Sequence, residues 1–121
     1  MIKGDILQAI FNEVYNYLPD GWEKVVIYLE YGVDSYSTAF YAKVMGKYTK
    51  CYDLGTATDE QIAAAFRKID QLILPAQKKD KWTNMTMIVE ANGKMHTDFD
   101  YTDLSESAYK YSKAWKAKYL N

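Results

Sequence analysis

Met95-His-Thr-Asp-Phe-Asp-Tyr-Thr-Asp-Leu-Ser-Glu-Ser107 is the stretch of this chain in which a strand pattern gives way to a helix pattern. Polar and apolar side chains alternate through its first half, as they do in a half-buried strand. Its second half contains Asp103-Leu-Ser-Glu106, a capping-box sequence that predicts the start of a helix. Four carboxylates fall within it and make it the first candidate for a functional site: Asp98, Asp100, Asp103 and Glu106.

The segment before this stretch completes a hairpin. Trp82 to Ala91 and Lys94 to Tyr101 have strand patterns, and they flank Asn92-Gly93, a strong signal for a two-residue hairpin loop. Such a loop pairs residue 89 with 96, 87 with 98 and 85 with 100. Because directly opposed side chains share a face, this register predicts that His96, Asp98 and Asp100 lie beside Met85, Met87 and Val89.

The rest of the chain predicts two further helices and three further strands. Apolar residues at every fourth position indicate a helix before Pro19, and Thr58-Asp-Glu-Gln61 is a capping box that opens a helix which Pro75 ends or kinks. Strand patterns cover residues 22–31, about 36–45 and 48–54, with residues 32–35 and 46–47 as turns. The element order α-β-β-β-α-β-β-α predicts a single α+β domain over residues 1–121, with an antiparallel sheet of about five strands and three helices.

A second candidate site lies on the hairpin around Gly46-Lys47. A two-residue loop there pairs residue 45 with 48, 43 with 50, 41 with 52 and 39 with 54. That register gathers aromatic and basic side chains on one face: Tyr41, Lys43, Tyr48, Lys50 and Tyr52. Stacking rings with nearby cations suit single-stranded nucleic acid, whereas the simpler interpretation is a solvated or helix-covered sheet face.

Composition narrows the possible partners. With 15 Lys and Arg against 16 Asp and Glu, the net charge of −1 gives no general attraction to nucleic acid or to an anionic membrane. Twelve tyrosines favour a protein interface instead. The single cysteine, the lack of a signal-peptide pattern and the lack of a membrane-length apolar run together predict a cytoplasmic protein.

The residues give little support to metal binding or catalysis. His96, Asp98 and Asp100 alternate along one strand as a His/carboxylate site would require, but the chain has one histidine and no second ligand cluster. Neither Cys51 nor a serine pairs with His96 in a nucleophile motif, and no phosphate loop is present. We therefore predict no enzyme, no cofactor and no metal. A helix cap accounts for Asp103 and Glu106 and leaves Asp98 and Asp100 unexplained.

Several segments in matching order carry a resemblance to a known family. The chain resembles the YezG-like family of bacterial immunity proteins (antitoxins) in the run Asp98 to Ser107, in Trp115 and Lys118-Tyr-Leu120, and in Pro19 to Lys24, Trp82 to Thr86 and Glu90 to Lys94. The resemblance implies a cytoplasmic, non-catalytic protein that binds and neutralises a toxin encoded nearby. In this family the toxin is often the nuclease domain of a secreted antibacterial effector of the LXG or a related type.

The resemblance implies a toxin-binding surface, for which the residues offer two candidates. A nuclease cleft is basic where it holds the phosphate backbone, so carboxylates with a tyrosine anchor make Asp98, Asp100, Tyr101 and Asp103 the first candidate. The aromatic and basic face around Tyr41 is the second. Many relatives have a strongly acidic second helix, whereas Phe66-Arg-Lys-Ile-Asp-Gln-Leu-Ile-Leu-Pro75 is not acidic; this departure favours a localised patch. A small nucleic-acid-binding module or an uncharacterised enzyme remains the alternative, and the toxin's identity and the oligomeric state stay open.

Overall fold

One antiparallel sheet organises the molecule. The computed structural model describes residues 4–32, 36–104 and 108–121, and in these ranges five strands and three α-helices follow the predicted order, so the α+β prediction is confirmed. The helices are α1 (Gly4–Tyr15), α2 (Asp59–Asp80) and α3 (Ala108–Tyr119). The strands are β1 (Lys24–Tyr31), β2 (Tyr36–Val44), β3 (Lys47–Lys50), β4 (Asn84–Glu90) and β5 (Met95–Asp100).

The helices cover the two faces of this sheet unequally. Its strand order is β3-β2-β1-β4-β5, and each neighbouring pair is antiparallel. Ile27 faces α1 and α2, where it joins a fully buried cluster with Val14 and Ile69. Tyr28, the next residue, points to the opposite face and contacts Trp115 of α3. Successive side chains of a strand point to opposite faces, so α3 forms a separate third layer.

Helix α2 begins at the predicted capping box but is longer than predicted. The Thr58 side chain accepts a bond from the Gln61 N–H, and the Gln61 side chain accepts one from the Thr58 N–H. The predicted apolar stripe, Ile62, Phe66, Ile69 and Ile73, is buried. The prediction that Pro75 ends or kinks this helix is wrong about its end, since α2 continues to Asp80 and Lys81 caps it. Pro75 lies on the exposed side, where water can satisfy the carbonyl that the missing N–H leaves free.

Replacing Thr58 with alanine tests this cap. Because Thr58→Ala removes a bond to an otherwise unpaired N–H of the first helical turn, we expect the free energy of unfolding to fall by about 1 kcal/mol. Urea unfolding measures the change. Ser112→Ala on α3 is the matched control, since it removes an exposed hydroxyl and should change the free energy by less than about 0.5 kcal/mol. Equal losses in both variants would contradict a specific role for the cap.

The β2–β3 hairpin turns one residue earlier than predicted. Its loop is Met45-Gly46, where both residues have positive φ angles of 50° and 78°, as a type I′ turn requires. The strand pairs are 44 with 47, 43 with 48, 42 with 49 and 41 with 50. The predicted pairs are therefore wrong, although Tyr41, Lys43, Tyr48 and Lys50 still share a face. Strand β3 ends at Lys50, and Cys51–Asp53 form a 3-10 turn instead of the predicted strand.

The loop of the β4–β5 hairpin is one residue longer than predicted, and this difference changes the face on which the β5 side chains lie. Its loop is three residues long, Ala91-Asn92-Gly93, and only Gly93 among them has positive φ, which fits a three-residue turn better than a type I′ turn. The strand pairs are 84 with 100, 86 with 98 and 88 with 96. A one-residue slip moves every side chain to the other face. The prediction that His96, Asp98 and Asp100 lie beside Met85, Met87 and Val89 is therefore wrong.

Two predicted segments include residues outside the described ranges. The turn at residues 32–35 and the capping box at residues 103–106 are therefore still predictions.

Helix α1 ends at Tyr15, before Pro19. Leu18 directly precedes this proline, and a residue in that position disfavours helical geometry. Trp22 lies before β1 and packs on Phe11, with ring centroids 6.1 Å apart.

Candidate functional site

The register of β5 turns its polar side chains towards α3. His96, Asp98 and Asp100 share this face with Asn84 and Thr86 of β4, both of which are buried. His96 Nε2 lies 2.7 Å from Asp98 Oδ1. The structure therefore brings the two unexplained carboxylates together with the histidine, as the strand alternation predicted, but beneath a helix instead of beside the methionines.

Two tyrosines of α3 hydrogen-bond to these carboxylates. The Tyr119 hydroxyl donates to Asp98 Oδ2 over 2.7 Å, and the Tyr111 hydroxyl donates to Asp100 Oδ2 over 2.7 Å. Thr102 donates to Asp100 Oδ1 from its N–H (2.8 Å) and its hydroxyl (2.6 Å). Hydrogen bonds to a charged acceptor contribute more than neutral ones. Asp98 and Asp100 thus fasten α3 to the edge of the sheet.

These bonds keep both carboxylates ionised. Burial by itself would raise the pKa of Asp98, but the hydrogen bonds from Tyr119 and His96 outweigh it and the net pKa is lowered. For Asp100, burial again acts upward, and the bonds from Thr102 and Tyr111 lower the pKa below its ordinary range. Burial and then the Asp98 bond raise the pKa of Tyr119 to about 12. At neutral pH the pairs are therefore ionised carboxylates with neutral tyrosine donors.

This arrangement predicts how stability depends on acidity. A carboxyl whose pKa is lower in the folded state stabilises the fold above its ordinary value of 3.8, and that contribution disappears as pH falls through the folded value. The double variant Tyr111→Phe/Tyr119→Phe keeps the rings but loses both donors. We expect wild type to be more stable than this variant at pH 7, with the difference shrinking below about pH 4. Urea unfolding at a series of pH values measures it, and a difference that did not change with pH would contradict the assignment.

Trp115 is the apolar centre of the α3 layer. It is 6% exposed, and its Nε1 donates to Thr86 Oγ1 over 2.8 Å. Its ring lies 4.7 Å from the ring of Tyr28, 5.4 Å from Tyr119 and 5.7 Å from Tyr41, measured between centroids. One side chain of α3 thus contacts β1, β2 and β4. This places α3 over the middle of the sheet, with β5 on one side of it and β3 on the other.

A cleft of about 290 Å³ lies between α3 and β5. Asp98, Asp100, Tyr111 and Tyr119 line it, and Lys118 lies at the same cleft. Within the described ranges, no group of three His, Cys, Asp or Glu side chains is arranged to hold a metal ion. The carboxylates are instead occupied by hydroxyl donors, so the arrangement suits charge display and helix attachment better than acid–base chemistry.

Cys51 lies far from the histidine in the fold. It is 1% exposed within the core on the α1 and α2 side, next to edge strand β3, whereas His96 is exposed on the opposite edge strand. Burial raises the pKa of the Cys51 thiol, which disfavours the reactive thiolate. The structure does not bring these two residues together as a nucleophile and its base.

The second candidate surface is only partly assembled. Lys43 Nζ lies 5.5 Å above the Tyr48 ring, and Lys50 is exposed on the same face. Tyr41 is half-buried against Trp115 and is therefore not free to stack on a ligand. Tyr52 leaves this face with the 3-10 turn and meets Phe66 of α2 edge-on, with centroids 6.3 Å apart. Because Tyr41 and Tyr52 are not available on this face, the surface lacks most of the stacking platform that nucleic acid would need.

The remaining predicted contact residues are exposed. Tyr101 is 62% exposed, and Asp103 is exposed immediately after it, beyond the end of β5. The sequence did not identify the tyrosines that bind the carboxylates, although Tyr111, Trp115 and Tyr119 stood in one predicted helix stripe. It also missed Asp70 of α2, which accepts hydrogen bonds from the hydroxyls of Tyr31 and Tyr36. Such a long-range bond leaves no periodic signal in a single sequence.

No helix in the described part of the chain combines the length and apolar character that a membrane span needs.

Two comparisons with known proteins cover most of the molecule. A family model described as "Immunity protein YezG-like" matches residues 4–121. A relative, "Immunity protein YezG" from Bacillus spizizenii, is 26% identical in an alignment of 117 residues, and the match covers 86% of this chain and 71% of the relative. The similarity therefore extends across the sheet and all three helices.

Proposed function

Because the chain belongs to the YezG-like family of immunity proteins, we propose that it neutralises a cognate antibacterial toxin, a nuclease, by stoichiometric binding in the cytoplasm of the cell that produces both. Family membership is the observation that carries this proposal. Inhibition then depends on occupying or distorting the toxin's active site, and the immunity protein itself catalyses nothing. The toxin gene is expected to lie next to the gene for this protein.

The first candidate surface fits a basic nuclease cleft. Asp98 and Asp100 remain ionised at neutral pH, and the Asp98 side chain is still 38% exposed despite its two partners. Tyr101 adds a large, exposed aromatic ring beside them. Ionised carboxylates can face the lysines and arginines that hold a phosphate backbone, and tyrosine supplies contact area at low entropic cost. The proposed contact residues are thus Tyr101 and Asp103, with Asp98 and Asp100 supplying charge.

The second candidate surface lies on the other side of α3. Lys43, Tyr48 and Lys50 present cations and one ring there. This surface would suit an acidic region of a toxin instead of a basic cleft. Paired substitutions at Tyr48 and Lys50 therefore distinguish it from the first surface, because only the surface that contacts the toxin should change toxin affinity.

Co-expression tests the function directly. The toxin domain encoded by the neighbouring gene is expressed alone and together with this protein in a susceptible bacterium. We expect rescue of growth and a one-to-one complex on purification. We also expect the nuclease activity of the toxin to be lost as this protein is added up to an equimolar amount. A harmless neighbour, or a toxic one that is neither bound nor inhibited, would overturn the proposal.

Substitution of Tyr101 tests the contact surface. Exposed aromatic residues at the centre of an interface commonly contribute about 2 kcal/mol, so Tyr101→Ala is expected to weaken toxin binding roughly 30-fold. Isothermal titration calorimetry measures the affinity. Tyr15→Ala is the matched control, since Tyr15 is 58% exposed on α1 at the opposite face of the sheet. Asp98 and Asp100 are unsuitable for this test because replacing them also removes the acceptors of Tyr119 and Tyr111. Unchanged affinity in Tyr101→Ala, with the fold intact, would exclude Tyr101 as an anchor.

A further inference from the structure

The two edges of the sheet are protected to different degrees. Strand β3 is four residues long and begins and ends with lysine, and both features discourage another strand from pairing with it. Strand β5 is six residues long and contains neither lysine nor proline. Within the described ranges, β4 is its only neighbour. The β5 edge therefore offers a strand-pairing surface that the β3 edge does not.

The backbone of β5 has hydrogen-bonding groups available along this edge. Glu90 N–H donates to the Lys94 carbonyl over 2.9 Å at the start of the hairpin. Hydrogen-bonded pairs then alternate along an antiparallel ladder, so His96, Asp98 and Asp100 exchange bonds with β4. The N–H and C=O groups of Met95, Thr97 and Phe99 consequently point away from the sheet. A strand that joins here must pair its own outward groups with these three residues.

The side chains of β5 are complementary to a second β5 in the opposite direction. We propose that a second copy of this chain pairs antiparallel with β5 about a two-fold axis at Thr97, joining two five-stranded sheets into one. This register matches residue 97 with itself and 95 with 99, so all outward backbone groups are paired. Met95 then lies opposite Phe99 of the second copy, and these side chains are 37% and 36% exposed in the single chain.

Charge favours this register over its neighbours. On the face towards α3, it sets His96 opposite Asp98 of the second copy, and Lys94 opposite Asp100. In any other register, the outward N–H and C=O groups of the two copies can bond to each other only if the pairing is shifted by two positions. One such shift places Asp98 opposite its own copy, and the other places His96 opposite His96. Directly opposed carboxylates destabilise a sheet, and the shift that opposes two histidines loses the contact of His96 with Asp98 of the second copy, so the axis at Thr97 is preferred.

The size of the interface sets the expected strength. A pair of six-residue strands with two apolar contacts buries less area than a standard stable interface, so the dimer should form with micromolar affinity. Tyr101 and Asp103 lie beyond the end of β5, outside the residues that exchange backbone bonds with the second copy. The inference is independent of the proposed toxin binding, and every test below uses this protein alone.

Light scattering with matched lysine substitutions tests the edge. Over a concentration series in the micromolar range, wild type is expected to shift from the 14.0 kDa monomer to twice that mass. Met95→Lys puts a charge on the pairing edge and should raise the dimer dissociation constant at least 10-fold. Met45→Lys is the control, because Met45 is 92% exposed in the β2–β3 loop at the other side of the sheet. A wild type that stays monomeric, or two variants that behave alike, would overturn the proposal.

Cysteine cross-linking tests the register. Opposed residues in a hydrogen-bonded pair have Cα atoms about 5.5 Å apart, a separation that a disulfide can span. Thr97→Cys should therefore form a covalent dimer under mild oxidation by oxidised glutathione. Lys94→Cys should not, since the two copies of residue 94 lie about 20 Å apart in this register. Native Cys51 is 1% exposed and stays out of the reaction. Equal cross-linking of both variants, or of neither, would contradict the axis at Thr97.

Discussion

Replacing Trp115 with alanine is expected to weaken the attachment of α3 to the sheet by about 3–5 kcal/mol, the cost of removing a buried indole. The substitution removes the ring that contacts Tyr28, Tyr41 and Tyr119, and it leaves the Thr86 hydroxyl without its donor. The core between the sheet and the other two helices does not include this side chain. We therefore expect α3 to be released while the rest of the chain stays folded.

Hydrogen exchange resolved by residue measures this outcome. Amides of α3 should lose protection in Trp115→Ala, while those of β1 and β4 at the centre of the sheet keep theirs. Tyr109→Ala is the control on the same helix, because Tyr109 is 79% exposed and should not affect attachment. Uniform loss of protection throughout the Trp115→Ala chain would show that α3 and the main core unfold together.

The elements that the sequence predicted well are those with a local cause. The stripe of α2 and the capping box at Thr58 depend on residues a few positions apart, and both are present as predicted. Pro75 shows the limit of such reasoning. The energetic cost of a proline inside the helix is outweighed by the burial of apolar side chains on both sides of it, at Ile73 and Ala76. Tertiary packing, which a single sequence does not display, decided the length of this helix.

Hairpin register depends on loop geometry more finely than dipeptide preference can predict. Asn92-Gly93 correctly marks the turn between β4 and β5, but one additional loop residue moves Asp98 and Asp100 to the opposite face. At the β2–β3 hairpin, Met45 takes a positive φ that is unusual for its residue type. The dipeptide pattern puts glycine at the first position of the loop and therefore predicts the loop one residue too late. The side chains of the two strands nevertheless lie on the predicted faces.

The role of the opening stretch changes with this register. Asp98 and Asp100 are neither beside the core methionines nor free on the surface, because Tyr119 and Tyr111 bind them from α3. Their partners lie 21 and 11 residues away along the chain, and no spacing rule connects a strand to a helix at that distance. What remained predictable was the chemistry: ionised carboxylates on one strand face, close to exposed Tyr101.

Replacing Ile69 with alanine is expected to lower the free energy of unfolding of the whole domain by about 2–5 kcal/mol. Ile69 is fully buried between α2 and the sheet, in the cluster that also contains Ile27 and Val14. The substitution leaves a cavity that close-packed neighbours fill only in part. Arg67→Ala is the control, since Arg67 is exposed on the same helix.

The pattern of protection separates this variant from Trp115→Ala. Because Ile69 belongs to a cluster that joins α1, α2 and the central strands, its loss should destabilise all of them together, and α3 with them, since α3 has no sheet to bind once the sheet unfolds. We therefore expect a lower urea midpoint with an unchanged slope, and a uniform fall in the protection of the slowest amides. Selective exposure of α2, with β1 and β4 still protected, would show that the main core is not one cooperative unit. The two variants then test a single arrangement. The main core is cooperative and stays folded when α3 detaches, whereas α3 needs the folded sheet in order to bind.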